Sequence, residues 1–318
     1  MRDIGTGPAL GEGLGLGLAA LGRPAYLNGG RDRDLGSDRS VDAMRRRTAT
    51  VLDAAYAGGV RYFDAARSYG RAEEFLAVWL AARPAVDDVV IGSKWGYTYV
   101  GEWRSEAPVH EVKDHSVEAY RRQVAETRAL LGDRLTAYLI HSVTPESPAL
   151  GDPALLRELA QLRSQSVRIG LSTSGPAQAE TIRRAIGLTV DGEPLFTVVQ
   201  STWNLLETSA GPALAEAADA GTAVIVKETL ANGRLTPDEA PGPVAGAARE
   251  LGIPVDELAL AVALAQPWAA RVLTGAVTVG QIDRNLHAAG LDLPAGAGDG
   301  LAEAPAEYWA GRSRRAWA

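Results

Sequence analysis

Four side chains that can transfer protons or hold charge occur near the ends of short apolar segments. Asp64 ends one such segment, and Tyr69 follows shortly after it. Lys94 comes just after the next segment, and His141 ends the third. A phenol has a free pKa near 10, so Tyr69 needs its anion stabilised before it can act as an acid or base near neutral pH. The ammonium of Lys94 would lower the pKa of Tyr69, and Asp64 would hold Lys94 charged and in place.

This set of side chains predicts chemistry at a carbonyl oxygen. His141 could donate to or accept from the same substrate oxygen as Tyr69. A carbonyl polarised in this way is ready for hydride attack on its carbon, but no side chain supplies a hydride, so a cofactor must. Each residue also has a structural interpretation: Asp64 as a turn cap, Lys94 as a surface lysine, His141 as an interior histidine and Tyr69 as a packing aromatic. Their occurrence on three consecutive units favours one site.

The elements that must bring these residues together are alternating strands and helices. Short apolar segments alternate with longer segments of helical spacing, which is typical of βα units around a parallel sheet. In a closed barrel of such units, the C-terminal strand ends carry the active site. The predicted strands are Gly13–Leu18, Val60–Asp64, Asp88–Gly92, Ala137–His141, Val167–Leu171, Thr197–Gln200, Thr222–Val226 and Arg271–Thr274. The predicted helices are Asp42–Ala57, Ala72–Ala82, Ser116–Leu131, Pro153–Ser164, Pro176–Ile186, Gly211–Ala220, Val244–Leu251, Val255–Gln266 and Val279–Ala289. Ser116 and Asp152, the latter followed by a proline, are expected as helix N-caps.

Length and composition favour one α/β domain. The 318 residues, of which 46% are hydrophobic and 22% charged, can bury a large core, and no Pro/Ser-rich linker divides them. We therefore predict a single (β/α)8 TIM barrel domain over 1–318, with a barrel core at about 13–290. The C-terminal tail, 291–318, carries Tyr308 and Trp309 and is expected to dock on the barrel near the active-site face.

Charge and residue usage exclude several classes of function. The net charge of -7, without a basic tract, argues against a nucleic-acid partner. The absence of cysteine excludes disulfides and thiolate metal sites, and the four histidines lack close pairs, so we expect no metal. The apolar run Gly13–Ala20 is too short to span a bilayer. We expect a cytoplasmic monomer or small homo-oligomer without membrane partners, acting on a small carbonyl or alcohol.

Several segments in succession resemble the aldo-keto reductase superfamily. Phe63–Gly70, Ser93–Gly96 and Ile140–Ser142 are similar to its three catalytic segments. Leu14–Gly17 resembles its first strand, Ile169–Ser172 its fifth, Gln200–Leu206 its sixth, Leu230–Thr236 the loop after its seventh, and Gly275–Thr278 with Gln281 and Asn285 its cofactor-binding loop and helix. The resemblance implies a barrel that binds NADP(H) without a Rossmann fold. It also implies that Asp64, Tyr69, Lys94 and His141 form the catalytic tetrad.

The same resemblance assigns cofactor contacts. Ser172 and Gln200 would bind the nicotinamide carboxamide, Trp203 would stack on the ring, and backbone N–H groups of Gly275 and Ala276 would face a phosphate at a helix N-terminus. Asn285 would face the adenine. The complete set of expected cofactor contacts is Gly17, Ser172, Thr173, Gln200, Trp203, Lys227, Leu230, Arg234, Gly275, Ala276, Thr278, Gln281 and Asn285. Tyr26, Trp95 and Tyr97 are expected to line a substrate cleft.

Departures from the family pattern leave the cofactor open. Ser172-Thr173 replaces the family's Ser-Asn, and no Lys or Arg stands clearly where the 2′-phosphate of NADP would be held, since Gln281 and Thr278 occupy those places. NAD(H) is therefore not excluded.

Three alternatives to a general carbonyl reductase remain open. An NAD-preferring sugar (aldose or lactol) dehydrogenase of the same family is one, and a weakly catalytic nucleotide-sensing partner protein is another. A barrel hydrolase using Asp64 and Glu228 is the third, but it explains neither Lys94 nor Tyr69.

Overall fold

Eight parallel strands close into a barrel in a computed structural model that describes residues 13–26 and 34–315. The strands follow one another around the barrel in chain order, and the last pairs with the first. They are β1 Leu14–Gly17, β2 Tyr62–Asp64, β3 Val90–Trp95, β4 Leu135–Val143, β5 Arg168–Thr173, β6 Val198–Thr202, β7 Ala223–Lys227 and β8 Arg271–Thr274. The predicted (β/α)8 architecture is confirmed.

Helices occupy the connections between strands, and several begin at capping residues anticipated from the sequence. The Ser116 hydroxyl accepts from the Ala119 N–H at 3.1 Å, and Asp152 accepts from the Ala154 N–H at 2.9 Å. One helix starts at Gln178, slightly later than predicted. The helices are α1 Val41–Ala57, α2 Ala72–Ala81, α3 Val117–Leu131, α4 Pro153–Arg163, α5 Gln178–Ile186, α6 Gly211–Asp219, α7 Gly242–Leu251, α8 Val255–Leu264, α9 Val279–Ala289 and α10 Pro305–Ser313.

The core has two layers because strand side chains alternate between the two faces of the barrel wall. One hydrophobic cluster joins strand residues such as Leu16 and Ile91 to helix residues such as Leu52. A separate cluster fills the barrel with strand side chains: Tyr62, Val90, Ala137, Leu139, Val198, Ile225 and Leu273. The filled barrel is a rigid support for groups at its rim.

Strand β3 is longer than predicted, which changes the position of one candidate residue. It extends to Trp95, so Lys94 lies inside a buried strand rather than in the loop after it. An antiparallel hairpin that the sequence did not predict follows directly, with strands Tyr97–Tyr99 and Glu111–Lys113. This hairpin adds a wall beside the C-terminal ends of the barrel strands.

The C-terminal tail docks on the barrel through α10. Tyr308 and Trp309 are buried, and the Tyr308 hydroxyl accepts from Asn204 Nδ2 at 3.0 Å. Arg234, after β7, forms an ion pair with Glu303 of the tail. Residues 1–12 and 316–318 of the predicted domain lie outside the described residues. Among the helices that the structure describes, none is both long and apolar enough to cross a bilayer.

Candidate active site

A cavity of about 510 Å³ opens at the C-terminal ends of the barrel strands. Every strand end that reaches it belongs to the same rim, since all eight strands are parallel. The predicted site residues that line it are Gly17, Tyr26, Asp64, Tyr69, His141, Gln200, Lys227, Leu230, Gly275, Ala276, Gln281 and Asn285. The structure thus brings these twelve predicted residues together around one cavity.

A buried ion pair lies at the base of the cavity. Lys94 Nζ is 2.5 Å from Asp64 Oδ2 and also donates to the Ala65 carbonyl at 3.0 Å. Neither side chain is more than 3% exposed. Gln200 Nε2 donates to the other Asp64 oxygen at 2.8 Å. Both carboxylate oxygens are therefore engaged, and Asp64 is held as the partner of Lys94.

Tyr69 lies directly above this pair. Lys94 Nζ is 4.7 Å from the centre of the Tyr69 ring, and the tyrosine is 8% exposed. Burial raises the pKa of Tyr69 well above its usual value, and the Asp64 carboxylate adds to the rise, whereas the Arg23 guanidinium lowers it. The expectation that Lys94 lowers the pKa of this phenol is wrong here, because burial of Tyr69 and the Asp64 carboxylate outweigh the nearby cations. Tyr69 keeps its proton at neutral pH.

His141 completes the predicted tetrad at the cavity wall. Its ring meets the Tyr69 ring edge to face with centroids 5.5 Å apart, and its Nδ1 lies 3.4 Å from the Ser68 hydroxyl. Burial and the charge of Lys94 hold the pKa of His141 well below its usual value. The imidazole is therefore neutral and can donate from one nitrogen while it accepts at the other.

Gln200 offers the clearest place for a carboxamide. Its Nε2 is directed to the Asp64 carboxylate, which fixes the amide orientation, and its Oε1 is buried without a hydrogen-bond partner among the described residues. A buried acceptor without a donor is costly unless a ligand satisfies it. The NH₂ of a nicotinamide carboxamide is such a donor, so the residues present fit a nicotinamide dinucleotide.

The opposite end of the cavity contains the N-terminus of α9. Thr278 caps this helix by accepting from the Gln281 N–H at 3.2 Å, and Gln281 Oε1 accepts from the Val277 N–H at 2.8 Å. A Cβ added to Gly275 would meet open space, so a ligand phosphate can approach its backbone closely. Asn285, at the same end, donates to the Thr274 hydroxyl.

Acidic side chains line this end of the cavity. Asp34 accepts from Gln281 Nε2 at 2.8 Å, and Asp256 lies 3.5 Å from Arg284 Nε. Asp238 also belongs to the lining. The Oδ1 of Asp256 is buried and has no hydrogen-bond partner among the described residues. Within the described lining, carboxylates thus outnumber guanidinium groups at this end. The buried Asp256 Oδ1 can accept a hydrogen bond from a ligand.

Several predicted residues lie behind the described cavity lining. Ser172 Oγ accepts from the Ser142 N–H at 2.8 Å and so fixes the backbone next to His141. Thr173 Oγ1 donates to Gln178 Oε1 at 3.2 Å in a buried network. These two hydroxyls support the rim.

Trp203, Arg234 and Thr278 also have structural partners. Trp203 packs edge to face on Trp268 with ring centroids 5.6 Å apart. Arg234 pairs with Glu303, and Thr278 caps α9. Stacking by Trp203 and phosphate contacts by Arg234 and Thr278 remain predictions from the family resemblance alone.

The three predicted substrate residues have different positions. Tyr26 lines the cavity. Tyr97, on the hairpin, packs edge to face on His141 with centroids 5.2 Å apart. Trp95 is fully buried against Tyr120 and cannot contact a substrate in this arrangement. Trp95 is the last residue of β3 and faces the helix layer outside the barrel, because strand side chains alternate between the two faces.

Sequence reasoning missed the two ion pairs on either side of Tyr69. Arg23 and Glu111 form an ion pair at 2.9 Å on one side, and Arg312 of α10 forms a bidentate pair with Glu228 on the other. All four line the cavity. A basic residue after β1 and an arginine in the tail helix carry no local signal of their role.

Lys227 lies beside Glu228, with Nζ 3.7 Å from Oε1, and is an unusually acidic lysine. Lys227 Nζ donates to the Thr202 hydroxyl at 2.8 Å, and burial lowers the pKa of Lys227 to about 8. Burial alone would raise the pKa of Glu228, but Arg312 and Lys227 outweigh it and lower that pKa to about 2. Glu228 is thus ionised and paired, so it cannot serve as the second acid of a hydrolase near neutral pH.

Comparison with protein families gives one match that covers most of the chain. Residues 14–296 match the aldo/keto reductase family. D-threo-aldose 1-dehydrogenase of Pseudomonas sp is 25% identical over 327 aligned positions, covering 91% of this chain and 95% of the relative. Aldo-keto reductase str7 of Strobilurus tenacellus is 30% identical over 136 positions, covering 42% of this chain and 36% of that protein.

The fold is shared with solved structures as well. The aldo-keto reductase AKR11C1 from Bacillus halodurans, in its holo form, superposes with a TM-score of 0.68 at 21% identity, covering 94% of this chain and 97% of the other.

Proposed function

Because the chain belongs to the aldo/keto reductase family of oxidoreductases, we propose that it interconverts an aldose-type alcohol and its carbonyl product with NAD(H), Tyr69 transferring the proton. The observation that carries this proposal is the position of Tyr69 in the cavity, above the buried Asp64–Lys94 pair and beside a neutral His141.

The residues around Tyr69 account for proton movement in both directions. A nicotinamide dinucleotide, held at Gln200 and at the N-terminus of α9, would supply or accept the hydride at the substrate carbon. In reduction, Tyr69 Oη gives its proton to the carbonyl oxygen and becomes a phenolate. In oxidation, Tyr69 must first lose its proton to solvent, and the phenolate then takes the proton from the alcohol oxygen. Lys94 offsets part of the negative charge of this phenolate in both directions. His141, held neutral, donates a hydrogen bond to the substrate oxygen and orients it.

The cavity favours NAD(H) over the NADP(H) that the family resemblance implied. A 2′-phosphate is a dianion with acceptors only, whereas a ribose diol donates hydrogen bonds. Asp34 and Asp256 would repel the phosphate, and the unpartnered Oδ1 of Asp256 suits a hydroxyl donor. Arg284, a cation at this end, is beside Asp256 rather than free to clamp a phosphate.

The substrate end of the cavity suits a polyhydroxylated molecule. The Arg23–Glu111 and Arg312–Glu228 pairs present charged donors and acceptors on both sides of Tyr69. Such pairs bind vicinal hydroxyls well and bind apolar aldehydes poorly, because apolar groups would strip water from the charges without replacing it. The substrate named for the Pseudomonas relative, a D-threo-aldose, is of the favoured class.

Two measurements test this proposal. Titration with NADH and NADPH, followed by protein fluorescence quenching, should show tighter binding of NADH. Absorbance at 340 nm should then rise when NAD⁺ is mixed with an aldose from a panel of sugars, and a matched panel of apolar alcohols should react more slowly. Tighter NADPH binding would refute the cofactor assignment. Dinucleotide binding without turnover on any sugar or alcohol would instead support a nucleotide-sensing role.

A further inference from the structure

Arg23 is brought to Tyr69 by a close crossing of the loops that follow β1 and β2. The Arg71 N–H donates to the Gly22 carbonyl at 2.7 Å, and a Cβ on Gly22 would lie only 2.2 Å from the Tyr69 carbonyl oxygen. Only glycine permits this approach of the two backbones. The next residue, Arg23, is consequently directed at the loop that carries Tyr69.

The Arg23 guanidinium is held in a defined position. Its Nη1 donates to the Ser68 carbonyl and to Glu111 Oε2, each at 2.9 Å. Its Cζ lies 5.3 Å from the centre of the Tyr69 ring and 4.8 Å from that of Tyr26. The side chain is 2% exposed and lines the cavity. A buried arginine therefore bonds to the backbone next to the reacting phenol and faces its ring.

Lys94 and Arg23 differ in what balances their charges. Lys94 is 2.5 Å from Asp64, deep in β3, and does not belong to the described cavity lining. Arg23 is balanced by Glu111, which comes from the hairpin and is 23% exposed. A partly solvated carboxylate screens a neighbouring cation less completely than a fully buried one. More of the Arg23 charge thus remains to act on the phenol.

We propose that Arg23 is a positioning residue for the reaction, which holds Tyr69 through the Ser68 carbonyl and stabilises its phenolate, and that Glu111 opposes this electrostatic effect. This inference rests on the proposed role of Tyr69 as acid and base. It predicts that Arg23 and Glu111 shift the pH dependence of turnover in opposite directions.

The charged and titratable groups around the pair come from several elements. The groups that face Tyr69 are Asp64 from β2, Lys94 from β3, Glu111 from the hairpin, His141 from β4, Glu228 after β7, and Arg23 and Tyr26 after β1, with Tyr62 inside the barrel. The groups near Arg23 also include Tyr99 and His110 of the hairpin and its loop. The test therefore changes one position at a time and keeps all the others as they are.

The experiment measures kcat for alcohol oxidation, with both substrates saturating, between pH 6 and pH 10.5. The part of the pH profile in which the rate rises with pH is the limb that reports on Tyr69. R23Q removes a cation within a few Å of the phenol, so this limb should move to higher pH by about one unit. The rate at a fixed pH on that limb would fall about tenfold, since one pH unit is tenfold in protonation. E111Q removes the carboxylate charge beside Arg23 and should move the limb down. R23K keeps the charge and should return the limb most of the way to its wild-type position.

A matched control is R121Q, which removes an exposed guanidinium that pairs with Glu158 on the outer helices. It should leave the limb unchanged. Thermal melting and NADH binding identify variants that fold and bind. If R23Q does not fold, E111Q and R23K still decide the question, because a purely structural pair gives no downward shift in E111Q.

The possible outcomes separate this inference from the function on which it rests. Opposite shifts in R23Q and E111Q with rescue by R23K support it. If the limb stays at its wild-type position in both R23Q and E111Q, or moves in the same direction in both, the inference is overturned. The proposed function would remain intact. Undiminished turnover in Tyr69→Phe would instead remove the role of Tyr69 itself.

Discussion

Replacement of Lys94 by methionine should destabilise the barrel strongly, because it leaves a buried carboxylate unpaired. The Lys94 side chain is 0% exposed and that of Asp64 is 3% exposed, so water cannot replace the lost ammonium. Removing one partner of a buried pair costs about 3–5 kcal/mol. At roughly 2–4 °C per kcal/mol, the figure for chains of about 150–250 residues, the melting temperature should fall by about 6–20 °C.

The matched comparison is an ion pair at the surface. Arg183 and Glu216 are 50% and 48% exposed, so Arg183→Gln should leave the melting temperature almost unchanged. The double variant D64N/K94M should recover part of the loss, since its neutral carboxamide can still accept from Gln200 without a buried charge. Melting followed by circular dichroism checks all four proteins. This reasoning would be refuted if K94M melted at the wild-type temperature, or if the double variant were less stable than K94M.

Two further predictions concern the ends of the cavity. Asp256→Asn removes a carboxylate from the end of the cavity that contains the N-terminus of α9. The preference for NADH over NADPH should fall by about tenfold, as measured by paired fluorescence titrations. An unchanged ratio would show that Asp256 does not select the cofactor. Glu228 has a folded pKa of about 2, below its ordinary 4.5, so its stabilising contribution is present above pH 4.5 and is lost as the pH falls toward 2. The stability difference between wild type and Arg312→Gln should therefore narrow over that window in denaturant titrations, and a constant difference would contradict the pairing.

The sequence predicted the barrel well because its signals are local. Apolar segments of strand length, and caps such as Ser116 and Asp152, act within a few residues and are present in the structure where they were expected. The bounds of β3 were less accurate. Lys94 is polar, and a polar residue after an apolar segment normally indicates the end of a strand. Here the strand continues through Lys94, because the buried Asp64 carboxylate pairs with the lysine charge.

The parts of the candidate site that the sequence missed depend on contacts between distant segments. Arg23 meets Glu111, and Glu228 meets Arg312, across separations that no periodic pattern encodes. The acidity expected for Tyr69 was also wrong, because the sequence showed Lys94 and Asp64 but neither the degree of burial of Tyr69 nor the effect of the Asp64 charge on its pKa. Composition indicates which charges exist, and only the fold determines which of them compensate one another.

The most direct test of the account is turnover by Tyr69→Phe, which removes the phenolic hydroxyl and keeps the ring. The variant should bind NADH as wild type does, because Gln200 and the α9 N-terminus are unchanged, and it should lose about 100-fold or more in kcat for aldose oxidation at 340 nm. Wild-type turnover in a Tyr69→Phe protein that binds the dinucleotide normally would contradict the central claim that this hydroxyl carries the proton.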